Sequence, residues 1–253
     1  PSLYKSRILN GWRNTFLTAR GYDLFDPVSA PRIPNDYKTF FSTLATDIPR
    51  LWGLGAIRFI ICPLQFASKL QEHSRPKAEF ITQLSFGVSQ TPEGHWVPNE
   101  AASENEKTFS VLEYTGARPF LGLVNKWDVQ VDTIEGDHQV LMQISSQNFD
   151  WQSMAVVQGP ITPSSTSSSK SPGNISITKR HPTKTIASFH ADIPSLVVRA
   201  VRYDPNWKVS IDGKPAQLLR VNYLFQGVLV PQGKHEVIFN CHPPRSPLII
   251  AAT

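Results

Sequence analysis

From Ile175 to Phe239 the apolar residues recur at every second position, and tight-turn signals interrupt them at short intervals. Ile186, Ser188 and His190 alternate with Ala187, Phe189 and Ala191, and Leu196 to Tyr203 continues as a longer strand. A period of two is the mark of strands with one buried face. Lys208-Val209-Ser210-Ile211 runs into Asp212-Gly213, a hairpin dipeptide that accepts positive φ at both positions. Leu218–Val221 follows. Phe225–Val230 and His235–Phe239, joined through Pro231-Gln232-Gly233-Lys234, read as a second hairpin. Five or six short strands with tight turns predict an antiparallel β-sandwich over residues 174–243, jelly-roll or carbohydrate-binding-module-like.

The preceding part reads differently. Tyr37, Phe40, Phe41, Leu44 and Ile48 recur at helical spacing, with Asn35 or Asp36 placed to cap and Pro49 placed to end or kink the helix. Leu51–Gly55 reads as an apolar turn, and Gly53-Leu54-Gly55 lacks the third glycine of a dinucleotide loop. Strands are expected at Ala56–Cys62, Phe80–Val88, Thr108–Tyr114, within Pro119–Val131 and at Met154–Val157. A polar loop is expected around Pro92–Lys107, and Asp137 is placed to cap a short helix carrying Val140, Leu141 and Ile144. The fold class predicted is α+β: a mixed α/β region at 1–159, a Ser/Pro-rich linker or loop at 160–173, the sandwich at 174–243, and a tail at 244–253 leading toward a membrane helix.

Composition narrows the function classes. Hydrophobic residues at 40% and charged residues at 18% describe a folded chain. A mean hydropathy of −0.22 and no apolar run near ~20 residues exclude a membrane helix within the sequence. The net charge of +5 is dispersed, with Lys179-Arg180 the longest basic run, so no nucleic-acid partner is expected. Cys62 and Cys241 each close an apolar run, as two buried thiols or as a long-range disulfide.

No GxSxG, HExxH, P-loop or EF-hand pattern is present, and no catalytic residue, metal or cofactor is assigned. His190 and Asp192 sit two apart on a strand, where surface residues are commoner than ligands. The near carboxylate pairs, Asp128 with Asp132 and Asp204 with Asp212, are the raw material of a glycoside hydrolase reading. Aromatic rings suit a sugar better, because a flat ring covers the apolar face of a pyranose while polar neighbours bond its hydroxyls. The candidate carbohydrate-binding residues are Trp207 with Asp204 and Asn206 beside it, and Trp151 in a polar loop. Trp207 at the start of a strand also fits sandwich core. Asn174-Ile175-Ser176 has the form of a glycosylation sequon.

Tyr203-Asp204-Pro205-Asn206-Trp207, continuing to Asp212-Gly213-Lys214, has the form Y-x-P-x-W-x-x-x-x-D-G-K. Asn222, Phe225, Gly227, Val228, Val230, Pro231, Gly233 and His235 follow as N-x-x-F-x-G-V-x-V-P-x-G-x-H. Together these strings resemble the C-terminal extracytoplasmic region of the YfhO family of bacterial polytopic membrane proteins. Gly21-Tyr22-Asp23, Tyr37–Phe41, Leu54–Ile60 and Ala117-Arg118-Pro119-Phe120 are similar to earlier segments of that family, in the same order. The resemblance implies a glycosyltransferase-C-like parent that moves sugars from polyprenyl-phosphate carriers to cell-envelope polymers, with its catalytic carboxylate in a loop of the membrane part. It implies that this region is non-catalytic, lies on the extracytoplasmic face, and has the membrane helices of its own polypeptide as partners, with an envelope glycan as a further contact. A free-standing carbohydrate-binding module and a glycoside hydrolase using Asp128, Asp132 or Asp204 are the alternatives.

Overall fold

Ser/Pro-rich residues 163–170, the Gly21-Tyr22-Asp23 segment and the tail from 243 onward lie outside the residues described by the computed structural model, which are 33–72, 78–162 and 171–242. These form two compact units, one of 33–41 with 48–117 and one of 42–47 with 118–242. No helix among the described residues is long and apolar enough to cross a membrane.

The first unit holds α1 (Asn35–Leu44) as far as Phe41, then α2 (Ile48–Leu54), β1 (Phe59–Pro63), α3 (Leu64–Glu72), β2 (Phe80–Gln90), β3 (Trp96–Asn99) and β4 (Phe109–Tyr114). The expectation for Pro49 is corrected. It is the second residue of α2, where its missing N–H leaves no hydrogen bond unmade, so it begins a helix instead of ending one. The apolar turn at Leu51–Gly55 is correspondingly helical through Leu54. The strands form an antiparallel sheet in the order β1-β4-β2-β3. One face of it, through Ile60, Cys62, Phe80, Leu112 and Tyr114, packs with Ala67 and Leu70 of α3. The Phe80 and Tyr114 rings stack at 4.6 Å.

The second unit carries α4 (Ile134–Ser145) and two sheets. Its strands are β5 (Leu121–Val124), β6 (Lys126–Gln130), β7 (Met154–Gln158), β8 (Gly173–His181), β9 (Lys184–Ala191) and β10 (Ser195–Arg202). They continue with β11 (Trp207–Ile211), β12 (Lys214–Ala216), β13 (Leu219–Val221), β14 (Phe225–Val230) and β15 (Gly233–Cys241). One sheet runs β5-β10-β14-β13-β7-β6, the other β12-β11-β15-β9-β8. Strands from both sides of residues 160–173 therefore share the first sheet.

Their facing sides close a sandwich. Leu121, Val197, Val228 and Val230 of the first sheet pack with Ala187, Phe189, Trp207, Val209, Val237 and Phe239 of the second. The architecture is α+β with a C-terminal sandwich, as the alternation predicts.

Local signals are honoured unevenly. Asp212 (φ 50) and Gly213 (φ 76) make the left-handed pair of a two-residue hairpin turn between β11 and β12. The second predicted hairpin is absent: β14 pairs with β10 and β13, whereas β15 pairs with β11 and β9. Pro231-Gln232 instead carries the chain from one sheet to the other.

The cap of α4 is Thr133, whose hydroxyl accepts from Gly136 N at 3.2 Å; Asp137 lies inside the first turn and pairs with Arg220 at 2.8 Å. The helix crosses between the parallel strands β6 and β7. Its Gln143 donates to Asp128 of β6.

Two motif residues tie strands together through their backbones. Asn222 (φ 48) donates its N–H to Val156 O at 2.7 Å and accepts from Val156 N through its side-chain oxygen at 2.8 Å. Asn tolerates this left-handed geometry, and the pair extends the β7 ladder across a turn. At Gly227 a Cβ would stand 2.5 Å from Val221 Cγ2 and 2.9 Å from Val197 O. Gly227→Ala is therefore expected to destabilise the chain by about 1–3 kcal/mol through overpacking, read as a lower urea midpoint at unchanged slope.

Candidate functional site

The β10–β11 loop begins where Tyr203 N donates to Leu224 O at 2.7 Å. Asp204 then builds a side-chain turn: its Oδ1 accepts from Asn206 N at 2.8 Å and its carbonyl from Trp207 N at 3.0 Å. Arg202 approaches the other carboxylate oxygen at 4.0 Å. Asn206 O accepts from His242 N at 2.8 Å. Asp204 and Asn206, two of the residues singled out for sugar contact, thus shape the turn that delivers Trp207 to β11.

A pocket of about 220 Å³ opens beside that turn, lined by Tyr203, Pro205, Trp207, Lys208, Val209, Ala216 and Leu218. Val209 and Ala216 are cross-strand partners, so the β11–β12 hairpin forms one wall. Lys208 Nζ donates to Pro205 O at 3.2 Å. An apolar floor, one tyrosine and one ammonium group make a surface for a small ligand with an apolar face and polar rim.

Trp207 belongs to the sandwich core and is only 8% exposed. The Arg199 guanidinium lies 4.1 Å from its ring centroid, with Phe239 at 5.1 Å and Phe120 at 5.8 Å. Arg199 is 2% exposed; it donates to Gln226 Oε1 at 3.0 Å and to Thr185 Oγ1 at 2.9 Å, while its Nε has no hydrogen-bond partner among the described residues. Burial pushes its pKa down to about 10, the nearby Arg180 adds to that, and Cys241 opposes it. The sequence reading missed this group. Its one trace is a cation at the inward parity of β10, two residues from Val197 and two from Val201.

The other candidates stand apart. Trp151 is 9% exposed, in the turn before β7, and does not line the pocket. Asp128 bonds Gln143, and Asp132 is an exposed residue of the β6–α4 loop. His190 and Asp192 pair at 3.3 Å with both side chains about half exposed. Cys62 and Cys241 are free thiols, and burial pushes the Cys62 thiol up. Asn174 is exposed on β8. Among the described residues no three His, Cys, Asp or Glu side chains are grouped to hold a metal ion.

Two motif residues that the sequence keeps 23 positions apart do meet. His235 Nδ1 lies 2.6 Å from Asp212 Oδ2 and its Nε2 lies 3.2 Å from Gln232 O, while Asp212 Oδ1 accepts from Glu236 N at 2.9 Å. Both ring nitrogens face acceptors, an arrangement that only the imidazolium satisfies in full. The hydrogen bond to Asp212, then that to the Gln232 carbonyl, raises the His235 pKa; the Glu236 amide, then His235, lowers that of Asp212. The His235 contribution is complete below its ordinary value of 6.5 and fades as pH rises through the raised one. An NMR titration is expected to place His235 above 6.5, and Asp212→Asn to bring it back down.

No curated protein and no solved structure matches the chain. A family model, described as bacterial membrane protein YfhO, matches residues 131–252, from the start of the β6–α4 loop through the whole of the second sheet. Asn222, Gly227, Trp207 and the Asp212–His235 pair all fall inside the match. Over residues 131–252 the chain is thus similar to the YfhO family of bacterial membrane proteins, the family that its motif strings resemble.

Proposed function

We propose that this chain is a non-catalytic domain of a polytopic membrane protein, held on the extracytoplasmic face by membrane helices of the same polypeptide, and that its pocket beside Trp207 meets an envelope glycan. The observation that carries the scaffold reading is the use made of the motif residues. Asp212, Gly213 and Asn222 set turns, Gly227 leaves room for the Val221 side chain and the Val197 carbonyl, Trp207 fills the core and His235 clasps a hairpin. Residues occupied in this way hold a shape; they do not present a nucleophile or an acid–base pair to a cleft. The parent would then supply glycosyltransferase-like chemistry from its membrane part.

Topology labelling tests the setting. In the intact membrane protein, Lys234→Cys at the exposed start of β15 is expected to react with a membrane-impermeant maleimide in whole cells. Reaction only after lysis would overturn the extracytoplasmic placement. Glycan contact is tested at the pocket rim, where Lys208→Ala leaves the core untouched: weaker retention on envelope glycan is expected, and unchanged retention would remove the pocket from the proposal.

A further inference from the structure

The outward side of the second sheet carries a basic face at the end where the chain leaves it. Cross-strand partners share a face, so the register places side chains in rows. His181, Lys184, Asn240 and Lys208 form one row across β8, β9, β15 and β11. Lys179, Ile186, Ile238 and Ser210 form the next. Neither row contains a carboxylate. Lys179, His181 and Lys208 are exposed, Lys184 is half-buried, and the two isoleucines between them are partly open. The sequence accentuates this: no Asp or Glu occurs from Trp151 to Ala191.

The chain's exit lies at this same edge. Cys241 N donates to Thr183 O at 2.8 Å, in the β8–β9 turn, and His242 N to Asn206 O at 2.8 Å. Beyond His242 the match to a membrane-protein family continues to residue 252, through Leu248-Ile249-Ile250. A chain that goes on from there into a bilayer holds the basic rows against the headgroups. Lysines beside an anionic surface attract it, each by about fivefold in partitioning, and partly open isoleucines fit the interfacial layer.

We propose that the outward face bearing Lys179, Lys184 and Lys208 docks on anionic phospholipid headgroups beside the point where the chain enters the membrane. This rests on the reading of a bilayer-tethered domain. The test is sedimentation of the 253-residue chain with vesicles of phosphatidylglycerol and phosphatidylcholine in equal parts, against phosphatidylcholine alone. Binding is expected only to the anionic vesicles and is expected to fall with added salt.

Lys179→Glu with Lys184→Glu should weaken binding at least about tenfold. Lys214→Glu with Lys234→Glu, the same charge change at the far end of the sheet, should leave it within about twofold. Circular dichroism checks that both double variants fold. Equal loss from the two pairs would reduce the effect to overall charge and overturn the proposal. So would retention on a soluble anionic polysaccharide without vesicle binding. The vesicle assay needs no tether: failure there with Lys234→Cys labelled from outside would sink this face alone, and labelling only after lysis would sink the underlying reading.

Discussion

Trp207→Ala is expected to destabilise the second unit by about 3–5 kcal/mol, the usual cost of truncating a buried tryptophan. The ring is 8% exposed and packs with Val209, Val237 and Phe239 from its own sheet and Val228 from the opposite one. Its removal also takes away the aromatic face over which Arg199 sits. Urea unfolding followed by tryptophan fluorescence and circular dichroism reads the change. A midpoint equal to that of the unaltered chain would show that the ring is a replaceable platform and not part of the core. The consequence for the glycan proposal is practical. Loss of glycan retention in Trp207→Ala would report unfolding and not a lost stacking contact, which is why the rim lysine is the informative position.

The parts of this fold that were legible in the sequence are those set by neighbours along the chain. Asp212-Gly213 declares its turn because only such a dipeptide accepts two left-handed residues in a row. The alternation of β9 is visible because one side of that strand is buried all along its length. Pro231-Gln232-Gly233 sends the same local message, yet the strands on either side belong to different sheets. A tight turn is compatible with a hairpin and with a change of sheet, and the choice lies with distant partners that bury the alternate residues. Helix α3 went unread because only Ala67 and Leu70 of its residues are buried, too few to show a period.

The site divides in the same way. The Trp207 segment stood out in the sequence because Asp204 and Asn206 adjoin it along the chain, whereas the pocket it lines is completed by Ala216 and Leu218, which only strand pairing brings beside it. Arg199, which sets the charge behind Trp207, and His235, which clasps Asp212, reach their places only through strand pairing.

Arg199 offers the second large effect, because it is a cation enclosed by three aromatic rings with no carboxylate among its hydrogen-bond partners. Two forces oppose each other here. Burying the charge is costly, and Arg180 raises that cost. Against it stand the stacking on Trp207, worth about 2 kcal/mol when desolvated, and hydrogen bonds that satisfy Gln226 and Thr185. A planar guanidinium does all of this at once; an ammonium group, compact and strongly hydrated, keeps the burial cost and loses the fork and the stacking. Arg199→Lys is therefore expected to cost about 3 kcal/mol. Arg199→Met leaves Gln226 and Thr185 without their donor but fills similar volume and removes the buried charge, so it is expected to cost about half as much. Urea midpoints in the order Arg, Met, Lys would show that delocalised shape, not positive charge, is what the sandwich requires at this position. A lysine variant as stable as the parent would show the opposite, that an acceptor-rich pocket for any cation lies between the sheets.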